Sequence, residues 1–253
     1  MTMKVTLLGT GTSSPDPNRV QSGILVEAEN KTFLLDVGSG VLHRLIQTDI
    51  DLRTLDSVFI SHFHIDHCSD FLTLCQSLWL AGYDKTLELY APPTLREWSR
   101  GVRDIGFPYL RDKILVEEFV LEENHVVQLG PVQVSTASTT HSTMETRAFR
   151  VESRGRSMVY SSDSAPCPEV THLAKGVDVL LHEVNWLDGP HPEGVHTSPI
   201  ELAEIVEWAE PKKVVLTHVS PEVVADKEKV IATVGRRTNA EVVMGEDLMV
   251  LNI

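Results

Sequence analysis

The sequence predicts an α/β protein in which two packed β-sheets carry helices on their outer faces, within one domain at residues 1–253. Strand-like segments dominate the first half of the chain, and strands alternate with helical segments in the second half. The sequence shows neither an internal repeat nor a polar stretch long enough for an interdomain linker. Hydrophobic residues make up 42% of the 253 residues, which is enough apolar material for a large core.

In the first half, apolar runs that end at glycine, proline or polar turn residues predict strands. We expect them at residues 4–8, 23–27, 31–36, 57–61, 87–90 and 115–134, the last broken at Gly130-Pro131. Glu29-Asn30 joins the second and third strands as in a hairpin. Apolar residues at helical spacing predict helices at residues 41–47, 71–81 and 95–102.

The second half supplies further strands separated by helices. We expect these strands at residues 149–152, 157–161, 177–183, 213–217, 241–243 and 248–253. The intervening helices are expected at residues 169–174, 199–209 and 221–233. This pattern suits helices that cover the outer faces of two sheets.

The charge balance argues against one broad class of function. With 22 Lys+Arg against 36 Asp+Glu, the formal net charge is −14, which disfavours extensive nonspecific binding to nucleic acid. A local exception is a basic segment that also holds Trp98 and Tyr109. This segment is either a solvated surface or a nucleic-acid contact, and its basic residues are Arg96, Arg100, Arg103, Arg111 and Lys113.

Cysteine usage and apolar patterning indicate the compartment. The three cysteines include no C-x-x-C pair and do not form a disulfide framework. The N-terminal apolar run is too short for a signal peptide, and the sequence has no run of about 18 apolar residues. We therefore expect a cytoplasmic protein without a membrane partner.

A cluster of metal-ligand residue types follows the strand expected at residues 57–61. His62 and His64, two positions apart on an extended segment, share one side, and Asp66 and His67 follow as the chain turns. Imidazoles and a carboxylate suit zinc, iron(II) or manganese better than calcium or magnesium. The cluster predicts a metal site.

The spacing His62-x-His64-x-Asp66-His67 resembles the signature of the metallo-β-lactamase superfamily. The resemblance implies a four-layer αββα sandwich with the metals at one edge between the sheets. It also implies a dinuclear centre completed by later residues, and each of the candidates follows an extended segment: His141, Asp163 and His218. Asp36 resembles an early aspartate that supports a ligand.

Two further features resemble the ribonuclease Z branch of that superfamily. Glu183 ends an apolar strand, and His196 precedes the helix expected at residues 199–209. In that branch such a pair lies beside the scissile phosphate. The turn at residues 8–15 and Tyr90-Ala91-Pro92-Pro93 are also similar to that branch.

The resemblance assigns roles residue by residue. It implies two divalent metal ions per chain, with zinc as the first expectation and manganese or iron as alternatives. One metal is expected on His62, His64 and His141, and the second on Asp66, His67 and His218, with Asp163 bridging both. A hydroxide shared by the metals is the expected nucleophile, and Asp66 is expected to orient or deprotonate the water. Glu183 and His196 are expected to stabilise the oxyanion and to protonate the leaving oxygen.

The link at residues 186–195 has two interpretations, a loop over the site or a passive surface connection. The role of His191 within it stays open. His182 precedes Glu183 on the same strand and is expected to face the opposite side, in a structural role.

One departure from the ribonuclease Z pattern bears on the substrate. That branch matures the 3′ ends of transfer RNA and grips it with a long arm between the residues equivalent to His141 and Asp163. Here this stretch holds only a hairpin. We therefore predict a phosphodiesterase acting on a small phosphodiester or similar anionic ester. The open alternatives are an aryl sulfatase, a transfer-RNA 3′-processing endoribonuclease, and a non-catalytic module that binds metal or anions.

The expected helix at residues 71–81 is apolar and resembles a surface used for dimer formation in this branch. We therefore expect a homodimer.

Overall fold

A computed structural model describes residues 3–253 of the chain, in which two β-sheets pack face to face. In spatial order the first sheet holds β14 (Val250–Asn252), β1 (Lys4–Gly9), β2 (Gly23–Ala28), β3 (Lys31–Val37), β4 (Ser57–Phe59), β5 (Thr86–Ala91) and β6 (Leu115–Val120). The second holds β13 (Glu241–Met244), β12 (Lys213–Val219), β11 (Val179–Val184), β10 (Arg156–Tyr160), β9 (Arg147–Ser153), β8 (Val132–Ser138) and β7 (Val126–Leu129).

Both sheets mix parallel and antiparallel pairing in the same way. Strands β3 to β6 run parallel in the first sheet, as do β10 to β13 in the second. The remaining strand pairs are antiparallel. Ends of parallel strands therefore meet at one edge of the sandwich, where side chains from different strands can converge.

Helices cover both outer faces. They are α1 (Val41–Ile46), α2 (Ile65–Cys68), α3 (Phe71–Leu80), α4 (Leu95–Ser99), α5 (Pro168–Leu173), α6 (Pro199–Ala209), α7 (Pro221–Ala225) and α8 (Lys227–Gly235). Helix α6 begins with a capping box, in which Ser198 and Glu201 satisfy each other's backbone N–H groups, and with Pro199 in its first turn. Within residues 3–253, no helix is both long and apolar enough to cross a membrane.

Strand alternation divides the apolar side chains into three layers of core. Leu35 and Phe59 of the first sheet share the central cluster with Phe149 and Leu181 of the second. The rings of Phe59 and Phe149 meet edge to face at 5.8 Å. The outer cluster of the first sheet packs on α1, α3 and α4, and that of the second packs on α6 and α8. The predicted sandwich of two helix-covered sheets is confirmed.

Three predicted elements are divided or shortened in the structure, whereas the ends of the others shift by at most two residues. The segment at 115–134 forms three strands, because a turn containing Asn124 at φ 53° separates β6 from β7. The helix expected at 95–102 ends as α4 at Ser99 and continues as a wider π-helical turn, Arg100–Gly106, which contains two glycines. The helix expected at 221–233 is split at Asp226, a residue type that disfavours helix interiors.

Two β-bulges bear on the site, one in β3 of the first sheet and one in β12 of the second. The neighbours of Asp36 in β3 pair with consecutive residues of β2, so Asp36 is an extra residue, with φ 62°. His218 is likewise the extra residue of β12 opposite β11, with φ 47°. Leu34 and Leu216, two positions earlier, lie in the outer clusters. Strict alternation would send Asp36 and His218 to those outer faces, whereas the bulges re-aim their side chains toward the sandwich edge.

Candidate metal centre

The edge between the two sheets gathers the seven residues predicted as metal ligands. His62 and His64 lie just beyond β4, and Asp66 and His67 belong to the short helix α2. His141 follows β8, Asp163 follows β10, and His218 lies in β12. Since each lies at or near a strand end, the two sheets hold the cluster as a rigid frame.

The first group of possible ligands is His62, His64, His141 and Asp163. Nδ1 of His64 lies 3.0 Å from Nε2 of His62 and 3.1 Å from Nε2 of His141. Oδ2 of Asp163 is 3.6 Å from Nε2 of His141 and 3.9 Å from Nε2 of His62. His64 is exposed and the other three side chains are buried. This geometry suits one cation with an open side.

The second group is Asp66, His67 and His218, all buried. Oδ2 of Asp66 lies 3.4 Å from Nε2 of His218 and 3.8 Å from Nε2 of His67. Oδ1 of Asp163 is 3.2 Å from Nε2 of His67 and 3.3 Å from Nε2 of His218. The two oxygens of Asp163 therefore face different groups, as a carboxylate shared by two cations does.

Hydrogen bonds to the protein set the tautomers of two of these histidines. Nδ1 of His67 donates to Oδ2 of Asp36 at 2.7 Å, and Nδ1 of His141 donates to the carbonyl oxygen of Val195 at 2.7 Å. In the neutral rings Nε2 therefore carries a lone pair toward the cluster. Nε2 of His67 and Oδ1 of Asp163 are buried without a hydrogen-bond partner among the described residues. These unpartnered ligand atoms fit divalent cations.

Asp36 is the centre of the network that supports the cluster. Its Oδ1 accepts from the backbone N–H of Ser61, and its Oδ2 accepts from the hydroxyls of Ser61 and Tyr160. The role expected for Asp36 thus has a structural basis. The sequence did not predict the roles of Ser61 and Tyr160. Ser61 directly precedes His62, and Tyr160, which the alternation of β10 turns inward, lies three positions before Asp163.

Electrostatics within the cluster push neighbouring groups in opposite directions. Burial, followed by the charge of His67, holds the pKa of His62 well below its usual value. Burial also opposes protonation of His67, but the carboxylates of Asp163 and Asp36 together raise its pKa well above the usual value. For Asp163, burial raises the pKa, but His218 and His67 outweigh it and lower the pKa well below the usual value. The protein thus keeps an ionised carboxylate at the centre of the cluster.

Glu183 and His196 form the pair expected from the sequence. Oε1 of Glu183 lies 2.8 Å from Nδ1 of His196 and accepts from the backbone N–H of Ser164 at 2.6 Å. Burial, then the charge of Asp163, raises the pKa of Glu183 well above its usual value, whereas burial lowers that of His196. The side chain of His196 also lies close enough to Asp163 and His218 to share a metal ion with them, so the Glu183–His196 pair adjoins the candidate metal ligands.

A cavity of about 800 Å³ opens above the cluster. Most residues of the link at 186–195 line this cavity. The link is therefore a loop over the site and not a passive surface connection. His191, whose role the sequence left open, lines the cavity beside Trp186. His182 is buried outside this cavity, and its Nδ1 lies 2.8 Å from the carbonyl oxygen of Glu183.

The basic segment is partly used inside the protein. Arg103 is buried and pairs with Glu118 at 3.3 Å, Arg111 pairs with Asp104 at 3.4 Å, and Lys113 lies over the ring of Trp79. Arg96 and Arg100 are exposed, and neither lines the cavity. Two of the five basic side chains are thus paired with carboxylates, while Arg96 and Arg100 stay exposed away from the cavity.

Comparisons with known proteins agree with this geometry. The family model described as "Anti-Pycsar protein Apyc1" matches residues 3–235. A ribonuclease Z from Mycobacterium marinum is 30% identical over 249 residues, covering 89% of each chain. A ribonuclease Z from Methanosarcina acetivorans is 27% identical over 300 residues, covering 99% of this chain and 98% of the relative. That alignment is longer than this chain, so the relative carries residues that this chain lacks.

A solved structure shows the same fold. The metallo-β-lactamase fold protein YhfI from Bacillus subtilis superposes with a TM-score of 0.85 at 24% identity, covering 100% of both chains. Fold, ligand cluster and sequence matches agree. The chain belongs to the family described as anti-Pycsar protein Apyc1, in the ribonuclease Z-like branch of the metallo-β-lactamase superfamily.

Proposed function

We propose that this protein, a metal-dependent hydrolase of ribonuclease Z type, acts on small phosphodiesters with two divalent metal ions, zinc in the first place. One observation carries the proposal. The two oxygens of Asp163 face two separate groups of proposed ligands, and His196, hydrogen-bonded to the buried Glu183, lies beside them in the lining of the cavity.

The proposed ligands are His62, His64 and His141 for one ion and Asp66, His67 and His218 for the other, with Asp163 shared. Two divalent cations at such a site supply positive charge that polarises a phosphate ester and lowers the pKa of a bound water. The chain's own residues then hold and orient the reactants. Asp66, which lines the cavity, is proposed to orient the attacking water.

His196 is proposed as the acid of the reaction. Its Nδ1 is fixed on Glu183, which leaves Nε2 as the nitrogen that can meet the substrate. A proton held there can be donated to the leaving oxygen, and the same N–H can stabilise charge on a phosphate oxygen. Glu183 acts through His196, because its hydrogen bond to Nδ1 orients the ring.

The surroundings favour a small substrate over transfer RNA. Of the described residues that line the cavity, none is lysine or arginine. Between His141 and Asp163 the chain forms only the β9–β10 hairpin, with its turn at Arg154 and Gly155. RNA binding depends on contacts between basic side chains and phosphates, and the net charge is −14. The names of the ribonuclease Z relatives keep RNA as the second candidate substrate.

The assembly and location of the protein are proposals of the same kind. The apolar face of α3 packs into its own core, but Leu80 at the end of α3 is exposed. Tyr109, which donates to Gln76 of α3, is also exposed. We propose that this surface forms a homodimer, which Leu80→Asp with Tyr109→Asp should convert to a monomer in analytical ultracentrifugation. A cytoplasmic location is supported by three buried cysteines without disulfides.

The decisive experiment compares hydrolysis of bis(p-nitrophenyl) phosphate, p-nitrophenyl phosphate and p-nitrophenyl sulfate with added zinc, manganese or iron. We expect metal-dependent cleavage of the diester, which Asp163→Ala should abolish and His196→Ala should reduce. Asp226→Ala and His172→Ala remove exposed side chains of the same types and should retain activity. Cleavage of the sulfate alone would assign a sulfatase, and cleavage only of a precursor transfer RNA would assign the ribonuclease. Bound metal without any turnover would leave a non-catalytic binding module.

A further inference from the structure

An aromatic pair forms one wall of the cavity, and the proposed chemistry does not use it. Trp186 and His191 both line the cavity, with nearly parallel rings (12° between their planes) and centroids 6.1 Å apart. Trp186 is half-buried, and its indole nitrogen is shielded from solvent. The part of the ring that remains accessible is therefore carbon surface, which stacks on other rings rather than donating a hydrogen bond.

The loop that carries these rings is fastened at several points. The carboxylate of Asp188 accepts from the backbone N–H of Ile200 at the start of α6, at 2.9 Å. Near the other end, the carbonyl oxygen of Gly194 accepts from the N–H of Ser142 at 2.7 Å, and that of Val195 accepts from His141. Because these contacts fix the loop, the aromatic wall is in place before a ligand arrives.

The wall adjoins the reacting groups. The ring of Trp186 lies 5.3 Å from that of His196, at 71°, and His196 is 5.0 Å from His141. A group attached to a phosphate at the cluster is therefore within reach of Trp186. With acidic and hydroxyl side chains on the other walls of the cavity, Trp186 is its largest apolar contact.

We propose that Trp186 is a specificity-determining residue that stacks on a planar ring of the substrate, beside His191. The enzyme then prefers phosphodiesters that carry an aromatic or heteroaromatic ring close to the phosphate. This inference rests on the proposed phosphodiesterase function for its meaning, but its test measures binding and requires no turnover.

The test uses phenylphosphonate and methylphosphonate, which carry the same charged group and differ by a ring against a methyl. Isothermal titration calorimetry with the metal-loaded protein, at a pH where both are dianions, gives the two dissociation constants. We expect phenylphosphonate to bind about tenfold more tightly, the size typical of one stacked ring. Trp186→Leu should abolish this difference, and Trp186→Phe should retain most of it.

Trp208→Leu is the matched control, because Trp208 is exposed in a separate groove between α5 and α6. This variant should leave the ratio of the two dissociation constants unchanged. Equal affinities in the wild type, or a Trp186→Leu variant that keeps the ratio, would overturn the inference. Failure of the proposed function would be seen separately, as a wild-type protein that cleaves no diester. The ratio of the two phosphonate dissociation constants can still be measured in that case.

Discussion

Oδ2 of Asp36 lies 2.7 Å from Nδ1 of His67, and the same oxygen also accepts from the hydroxyls of Ser61 and Tyr160. This single carboxylate thus joins β3, the metal motif and β10. It fixes the ring of His67 with Nε2 toward the cluster. Such outer contacts govern how well a ligand is oriented before the metal binds.

Replacing Asp36 should therefore weaken metal binding without removing a ligand. Asp36→Asn places an amide where His67 needs an acceptor, and we expect metal affinity to fall about 10- to 100-fold. Competition with a chromogenic chelator measures this affinity. Tyr160→Phe keeps the carboxylate and should have a smaller effect. An unchanged affinity in Asp36→Asn would show that His67 needs no such support.

The proposed acid role of His196 predicts a dependence on the leaving group. His196→Ala should lower kcat by about 10²- to 10⁴-fold for a diester with an alkoxide leaving group, because that group needs a proton. The loss should be smaller for p-nitrophenolate, which leaves without one. Steady-state kinetics on both esters, with metal content measured in parallel, make the comparison. Equal losses on both esters would assign His196 to metal binding instead.

Stability should fall in mild acid because of His182. Burial lowers the pKa of His182 from 6.5 to about 4, so between these values the unfolded chain binds a proton that the folded chain does not. The free energy of unfolding therefore decreases as the pH falls from 6.5 toward 4, by about 3 kcal/mol from this group.

Urea unfolding across this pH range, on metal-free protein, tests that contribution. His182→Gln should show a shallower dependence of unfolding free energy on pH than the wild type. His172→Gln removes an exposed histidine and controls for the loss of one imidazole. The prediction is wrong if His182→Gln and the wild type have parallel pH dependences.

The carboxylate of Asp247 accepts hydrogen bonds that hold the loop after β1 in place. Replacing Asp247 should therefore affect both the free energy of unfolding and substrate binding. The carboxylate accepts from the N–H and hydroxyl of Thr10, from the N–H of Val20, and from Arg44. Asp247→Ala leaves these donors without a partner, which should cost about 2–4 kcal/mol of unfolding free energy.

The same loop carries residues 12–14, which line the cavity, so KM should rise more than kcat falls in Asp247→Ala. Chemical denaturation and steady-state kinetics measure the two effects. Asp226→Ala, at an exposed position, is the control for both. A destabilised variant with an unchanged KM would separate the loop from substrate binding.

Sequence patterns predicted most of the strands because apolar alternation and turn residues mark them directly. They also predicted the ligand cluster, since His62, His64, Asp66 and His67 lie within six consecutive residues. The alternation of apolar and polar residues could not predict that the side chains of Asp36 and His218 point toward the site, because each is the extra residue of a bulge. Only the pairing of neighbouring strands reveals a bulge whose extra residue is not glycine.

Contacts between distant segments were equally hidden. Tyr160 meets Asp36 only because the two sheets face each other, and Trp186 becomes a cavity wall only when its loop is fastened near His141 and α6. A sequence pattern reports local periodicity, and it carries no signal for such long-range neighbours. The aromatic wall of the cavity and the hydrogen bonds from Asp36 that support the candidate metal ligands were therefore revealed only by the structure.

The two bulges have a consequence for how the protein tolerates heat and mutation. Asp36 and His218 hold a left-handed backbone that side chains other than glycine adopt only with strain, at about 1–3 kcal/mol for each position. The sheets around them are rigid enough to keep that strain in place. The placement of these two side chains therefore lowers the free energy of unfolding, and selection for thermal stability alone would favour replacing them with glycine at the expense of the site.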